Sequence, residues 1–240
     1  MVNPILQLSC ERISELVLRL NLMPQLLLRQ EQEKIIDLVN IDLSTLSEKR
    51  DQILAGMELS DFLTQNNWQQ QDFNYHLARE ESLQKFAKQR FGSGLEELFL
   101  ASKEQRDSVV YSLIRVRDPG LARELWIRLE EAEMTFNEAA SAYGEGPEAI
   151  HNGVMGPVPI GSLQPALLGE MLRNLRPGQL MPPHILGEWH LLLRLEQLTP
   201  ARFDQQMINQ LLDEQLNKFL QQRVQSIING LEPEPLVYDD

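Results

Sequence analysis

The chain has 240 residues, of which 42% are hydrophobic and 24% are charged, and this composition argues against wholesale disorder. Its length is enough for one large domain or two small ones, each with its own core. The formal net charge of −13 argues against a nucleic-acid binder or a binder of anionic membranes, because phosphates would be repelled. The same charge modestly favours basic polypeptide partners.

The single cysteine, Cys10, excludes an intramolecular disulfide and a cysteine-based metal site, which fits a reducing compartment. The first residues show no basic region followed by a long apolar run, and no stretch is apolar for long enough to span a bilayer. We therefore expect a cytoplasmic protein without membrane insertion. No glycine-rich stretch has the form of a phosphate loop and no His/Asp/Glu set has metal spacing, so we expect neither cofactor nor metal.

Residues 1–105 predict an all-α domain. Apolar residues recur at helical spacing from Ile5 to about Val39, and Pro24 divides this stretch into two helices, since proline inside a helix costs roughly 3 kcal/mol. The Leu and Met residues of this region suit a cleft that holds other polypeptides, because flexible apolar side chains adapt to varied partners. They are equally compatible with an ordinary helical core.

Residues 106–199 show a different pattern. Val109 to Val116 is rich in apolar and β-branched residues, as is typical of a buried strand. Asp118-Pro119 marks a helix start, and Thr135 with Glu138 has the spacing of a capping box at the start of the next helix.

The second half of this region begins with residues 144–161, which are dense in glycine and proline and predict a loop. A helix over 163–175, a short broken strand over 180–186 and a strand over 189–195 follow. The predicted order is therefore β-α-α-α-β-β, and the fold class is α+β.

Residues 200–230 predict a C-terminal helix, and residues 231–240 predict a frayed acidic tail. We hypothesise that this helix packs on the N-terminal helices, so that one all-α domain is built from both ends of the chain.

Seven segments of the middle region have a common property: they occur in the order and at nearly the spacing of one known family. They are Val110–Val116, Leu121–Leu125 with Phe136–Ala140, Tyr143–Gly146, Asn152–Gly156, Leu163–Leu167, Leu175–Leu180 and Gly187–Glu196. Together they resemble the parvulin-type peptidyl-prolyl cis/trans isomerases, whose closing strand has the pattern GYHIIKLE. With helices on both sides, the arrangement resembles the SurA and PrsA type of foldase chaperone and a cyanobacterial-type relative associated with export.

The resemblance implies catalysis without a nucleophile, because rotation about a prolyl bond breaks no covalent bond. A catalyst needs an apolar cup and a few polar groups around the twisted amide. His190 matches the histidine of the closing strand. The histidine of the first strand is replaced by Tyr111 or, in the neighbouring register, by Ser112, and Tyr111 is favoured because its phenol can still donate a hydrogen bond.

The resemblance also implies a substrate pocket. Leu163 and Leu167 stand at the family's pocket methionine and phenylalanine, Met155 lies in its glycine-rich segment, and its Cys or Asp position falls near Glu145 or Gly146. The implied catalytic residues are His190 and Tyr111, and the implied substrate-binding residues are Leu163, Leu167, Met155, Ser112 and Glu145.

Each of these residues has an ordinary structural alternative, since a histidine or tyrosine in an apolar strand and two leucines near a helix also suit a core. Two functions therefore stay open. One is a weak prolyl isomerase and foldase that acts on unfolded, proline-containing or export-bound polypeptides, with an export system as a candidate partner. The other is a parvulin-fold chaperone or adaptor that binds such clients without isomerising them; a purely structural partner of a secretion machine is a third reading.

Overall fold

The structure is a computed structural model that describes residues 10–238, so the start of the predicted first helix at Ile5 and the last two residues of the tail lie outside it. The helices and strands follow the chain in this order: α1 Cys10–Arg19, α2 Met23–Leu38, α3 Ser47–Leu54, α4 Leu59–Asn66, α5 Gln70–Phe91, α6 Leu95–Arg106, β1 Ser108–Val116, α7 Pro119–Glu130, α8 Phe136–Tyr143, β2 Val154–Pro159, α9 Ala166–Arg173, β3 Leu180–Leu186, β4 Trp189–Thr199 and α10 Gln205–Ile228.

These elements form two compact units. The helical unit combines the chain up to Glu97 with the chain from Asp204 onward, and the sheet unit spans Leu98–Phe203. The sequence placed the first boundary at residue 105, because α6 is one uninterrupted helix whose periodicity gives no sign of a division within it.

In the helical unit, α10 packs against α2 and α5. Ile35, Phe86, Phe219 and Leu220 are buried on these helices. Pro24 lies in the first turn of α2, where its missing N–H would have had no helical partner in any case. The predicted division into two helices at this proline is confirmed.

A sealed ion pair lies inside this unit. An Nη2 atom of Arg223 on α10 lies 2.6 Å from Oε2 of Glu31 on α2, and both side chains are almost completely buried. Lys34 donates a second hydrogen bond of 2.6 Å to the same glutamate from a half-exposed position. Glu31 therefore has a cation on each of its carboxylate oxygens.

The prediction of a frayed tail was wrong for its described part. Glu234 forms an ion pair with Arg90 of α5, and the ring of Tyr238 lies 6.5 Å from that of Phe86. The partners lie far away in sequence, so the acidic composition of the tail by itself could not reveal them.

The sheet unit holds a four-stranded antiparallel sheet of order β2-β1-β4-β3, and the predicted α+β class is confirmed. Asp118 accepts a hydrogen bond of 2.6 Å from the Leu121 backbone N–H, and Thr135 and Glu138 cap each other reciprocally. Both predicted helix starts are therefore confirmed.

The predicted loop over 144–161 was wrong for β2, which pairs with β1. Strand β2 holds two prolines and Gly156, which are tolerated because it is an edge strand. Gly156 has φ +103°, and a Cβ there would lie 2.4 Å from the Val109 carbonyl oxygen, so this close approach requires glycine.

Side chains alternate in direction along β1 and β4, so the sheet has two distinct faces. On the face toward α9, called the α9 face, Tyr111, Leu113, Leu191, Leu193 and Leu195 share one apolar cluster with Leu168, Met171 and Leu172. On the other, called the α7/α8 face, Ile114, Val116 and Leu192 pack with Ala122, Leu125, Phe136, Ala139 and Ala140. The face that a side chain occupies decides which predicted site residues can act together.

Candidate functional site

The two residues predicted to be catalytic lie on opposite faces of the sheet. Tyr111 pairs with Leu195 and belongs to the α9 face, whereas His190 pairs with Val116 and shares its parity with Leu192 on the α7/α8 face. Their positions along β1 are also five residues apart, about 17 Å at the usual rise. The structure does not bring them together, so they cannot serve one site.

The separation follows from the register in which β1 and β4 pair. The family pattern has I-I-K-L between its histidine and its glutamate, whereas this chain has Leu191-Leu192-Leu193-Arg194-Leu195 between His190 and Glu196. Because side chains alternate with a period of two, His190 and Leu191 lie on opposite faces. Alignment on Arg194-Leu195-Glu196 would place the buried Leu191 at the histidine position, and Leu191 pairs with Arg115 and not with Tyr111.

Tyr111 is the polar residue that the structure places on the α9 face at the predicted site. Its side chain is 4% exposed. Burial raises the pKa of its phenol, and the nearby Glu148 carboxylate also raises it, while the Arg115 guanidinium acts in the opposite direction. The phenol therefore stays protonated and is a hydrogen-bond donor over the whole neutral range.

Ser112, the alternative to Tyr111, lies on the other face and is completely buried. Its hydroxyl donates a hydrogen bond to Oε1 of Glu196. Ser112 is therefore sealed and already bonded, and its role in substrate binding stays a prediction.

The two predicted pocket leucines are separated. Leu163 is buried in the α9-face cluster, whereas Leu167 is 39% exposed. Helix α9 begins only at Ala166, so the predicted helix over 163–175 is too long at its start and the two leucines do not share a helical face. Met155 of β2 pairs with Tyr111 and packs on the same cluster. Of the predicted residues, the structure brings together Tyr111, Leu163 and Met155.

Glu145 lies just before the turn that leads to β2 and is exposed. Its carboxylate accepts a hydrogen bond of 3.0 Å from the Arg117 backbone N–H, and its own N–H donates to the Arg115 carbonyl oxygen at 2.9 Å. These bonds tie the segment after α8 to the end of β1, so the structure gives Glu145 a role in positioning this segment.

An ion pair beside Tyr111 was not predicted. Arg115 Nε lies 3.0 Å from each carboxylate oxygen of Glu148, and Nη2 bonds to Oε2 as well. The glutamate is buried, but the arginine side chain is 30% exposed. Hydrogen bonding to Glu148 raises the pKa of Arg115. The partners are 33 residues apart, and neither lies in a segment whose pattern predicts the other.

Within residues 10–238, no group of three or more His, Cys, Asp and Glu side chains is arranged to hold a metal ion. Over the same range, none of the helices is long and apolar enough to cross a membrane.

Comparison with known proteins gives matches among solved structures. No family model matches the sequence, and no curated protein matches it. The chain is similar to the peptidylprolyl isomerase PrsA of Bacillus anthracis, with 15% identity, 88% of this chain and 100% of that chain covered, and a TM-score of 0.48. PrsA of Bacillus cereus has 16% identity, 97% and 90% coverage, and a TM-score of 0.47.

A third match is one of the two SurA-like chaperones, PEB4 and Cj1289, of Campylobacter jejuni. It has 16% identity, covers 86% of this chain and 94% of that chain, and has a TM-score of 0.38. The described part of this chain has an antiparallel sheet unit and a helical unit built from both ends of the chain, and it is similar to these solved structures.

On the α9 face the apolar side chains and the Tyr111 phenol are buried in one cluster with α9, and the Arg115 guanidinium beside them is partly exposed. This face does not hold a pair of imidazoles, because His190 lies on the other side of the sheet and Leu191, which lies on this face, pairs with Arg115.

Proposed function

We propose that this protein is a parvulin-like foldase that holds unfolded, proline-containing polypeptides and isomerises prolyl bonds weakly. The proposal is supported by the ordered sequence segments and by the cluster of Tyr111, Leu163 and Met155, in which Tyr111 and Leu163 are buried and Met155 is partly exposed. The uncatalysed isomerisation takes tens to hundreds of seconds, so even modest acceleration matters to a folding chain. The predicted cytoplasmic location and the link to an export system stay predictions.

The second candidate, a chaperone that binds clients without isomerising them, is favoured by one observation. The two predicted catalytic side chains lie on opposite faces of the sheet. A polar group that hydrogen-bonds only the twisted amide accelerates rotation, and on the α9 face the Tyr111 phenol is buried.

The deciding experiment measures isomerisation of short X-Pro peptides by NMR exchange, for the wild type and for Tyr111→Phe and His190→Ala. For the foldase, we expect a small acceleration that drops severalfold in Tyr111→Phe and is unchanged in His190→Ala. Loss of activity in His190→Ala with none in Tyr111→Phe would overturn the assignment of the site to the α9 face.

A parallel measurement follows the aggregation of an unfolded client in the presence of the same variants. Suppression of aggregation with no isomerisation by any variant would identify the chaperone without catalysis. Neither suppression nor isomerisation would contradict both candidates.

A further inference from the structure

A groove of the helical unit, called the α2/α5 groove, lies between α2 and the first turns of α5 and has a volume of about 810 Å³. Leu26, Glu33 and Asp37 line its α2 wall at the spacing of one helical face, whereas Glu31 and Ile35 on the opposite face of that helix are buried. From Leu26 to Asp37 the wall is about 17 Å long, the length of about five extended residues. The groove is therefore large enough for a short polypeptide segment.

Apolar side chains are exposed at the end of the groove where α2 begins. Leu26 is 55% exposed, and Leu22 and Met23, about one turn before it, are exposed as well. Single exposed apolar residues are ordinary, but neighbouring ones form a patch of the kind that contacts other proteins. This end of the groove therefore suits the apolar residues of a bound segment.

The α5 wall adds an aromatic ring. Tyr75 stands almost perpendicular to the ring of His76 with their centroids 5.2 Å apart, and the His76 ring lies flat on that of Trp68 at 4.2 Å. Trp68 packs on the buried cluster around Phe73, so the stack is anchored in the core. Aromatic rings attract both apolar side chains and cations, which suits this wall to a segment that carries both.

The charge of the groove is negative. Three carboxylates line it, those of Glu33, Asp37 and Asp72, against one guanidinium, that of Arg29. Partial burial lowers the pKa of His76, so its ring is neutral at pH 7 and leaves this balance negative. Glu33 and Asp37 are exposed one turn apart on α2, and like charges at this spacing repel each other. A bound cation would relieve that repulsion.

The basic side chains near these carboxylates have other partners. Arg29 and Arg79 both donate to the side-chain oxygen of Gln32 at 3.1 Å, and Lys34 donates to Glu31 at 2.6 Å. Within residues 10–238, none of these three cations forms an ion pair with an acid of the groove. The negative charge of the groove is therefore available to a partner.

We propose that the α2/α5 groove binds a segment of an unfolded client polypeptide in which apolar residues lie next to lysine or arginine residues. The apolar residues contact Leu26 and its neighbours, and the cations pair with Glu33 and Asp37. No group of acids in the described range is arranged to hold a metal ion, so the carboxylates suit separate side-chain cations. The inference rests on the client-holding part of the proposed function, but it assigns a surface other than the α9 face.

The test measures the binding of fluorescein-labelled peptides to the full chain by fluorescence polarisation. The lysine peptide has two leucines followed by alternating serine and lysine, and the control peptide has glutamine in place of each lysine. We expect the wild type to bind the lysine peptide about tenfold more tightly at low ionic strength, as two exposed ion pairs permit. The preference should disappear at about 1 M salt, where charges are screened within about 3 Å.

Three variants locate the binding surface. Glu33→Gln/Asp37→Asn should remove the preference for lysine and leave the affinity for the glutamine peptide unchanged. Glu96→Gln/Glu97→Gln removes two exposed charges from α6 and is the matched control, which should keep the preference. Leu26→Ser should weaken both peptides severalfold and keep the preference, because it removes only apolar contact. Circular dichroism checks that each variant keeps its helices.

Equal binding of the two peptides by the wild type would overturn the proposal. A lysine preference that survives in Glu33→Gln/Asp37→Asn, or that is lost to the same extent in the α6 control, would also overturn it. Dimerisation on gel filtration that disappears in the groove variant would contradict it as well, because the groove would then hold a second copy.

The peptides contain no proline, so their binding is separate from the isomerisation assay, and Tyr111→Phe should leave it unchanged. A wild type that isomerises prolyl bonds or suppresses aggregation, but binds the two peptides equally, would refute the groove and leave the proposed function intact. A lysine preference that depends on Glu33 and Asp37 supports the groove even where isomerisation is absent.

Discussion

Among the residues that the structure describes, each unit contains a glutamate that is buried against an arginine, and the two pairs differ in the exposure of the arginine. In the helical unit, Arg223 is sealed together with Glu31, with 6% and 0% of their side chains exposed. In the sheet unit, Glu148 is equally buried, but 30% of the Arg115 side chain reaches solvent. The first pair joins α2 to α10 inside the helical unit. The second exposes part of the Arg115 guanidinium beside the candidate site.

The difference matters for stability. Loss of one partner lowers the free energy of unfolding strongly when the remaining charge stays buried, and only weakly when water can solvate that charge. The sealed pair should therefore dominate stability. The half-open pair should matter less to stability and more to the electrostatic surroundings of Tyr111, on which Arg115 and Glu148 act with opposite signs.

The largest expected effect comes from Glu31→Ala. It leaves Arg223 buried without its carboxylate, which should lower the free energy of unfolding of the helical unit by about 3 to 5 kcal/mol. Urea unfolding would measure this, with Trp126 and Trp189 replaced by Phe so that Trp68 reports the helical unit.

Glu33→Ala on the exposed side of α2 is the control, and should change stability by less than about 0.5 kcal/mol. The double variant Glu31→Met/Arg223→Met should recover most of the loss, since it removes both charges. A double variant as unstable as Glu31→Ala would contradict the reading of this pair as an ionic contact.

Glu148→Ala should have a smaller effect. We expect the sheet unit to lose about 1 to 3 kcal/mol, because water can solvate the exposed part of the Arg115 guanidinium. Unfolding followed by Trp189 fluorescence measures the loss. Glu145→Ala, an exposed neighbour, should cost less than about 1 kcal/mol. A loss as large as that of Glu31→Ala would remove the distinction between the two pairs.

The pH dependence of stability should distinguish the two ion pairs further. Burial alone would raise the pKa of Glu31, but hydrogen bonds from Lys34 and Arg223 outweigh it, and the pKa is lowered from its ordinary value of 4.5. Its contribution to stability is therefore complete above about pH 4.5 and is lost as the pH falls through the lower folded-state pKa.

The free energy of unfolding can be measured at decreasing pH by Trp68 fluorescence. It should show this loss in the wild type and should depend less on pH in Glu31→Gln. Identical profiles for the two proteins would show that other carboxylates account for the acid sensitivity of the helical unit.

Lys34→Ala should have the smallest effect. Its side chain is 48% exposed, so removing it should cost under about 1 kcal/mol at neutral pH. Because it also removes one of the hydrogen bonds that lower the pKa of Glu31, the acid loss of stability should begin at a higher pH. An unchanged acid profile would assign the low pKa of Glu31 to Arg223 alone.

The sequence by itself determined what depends on near neighbours. Asp118 and Thr135 cap their helices with groups three residues away, and Pro24 begins α2 within its own first turn. The α+β class also follows from the sequence, because strand and helix patterns are visible along β1, α7 and β4.

Only the tertiary structure decided what depends on register and on distant partners. The register in which β1 and β4 pair puts His190 and Tyr111 on opposite faces and far apart, and strand patterning by itself does not give that register. Strand β2 exists because β1 supplies its hydrogen bonds in spite of glycine and proline.

The contacts of Arg115 with Glu148 and of Arg90 with Glu234 join residues that are 33 and 144 positions apart. No local pattern predicts such pairs, since their energy exists only once the folded chain has brought the charges together.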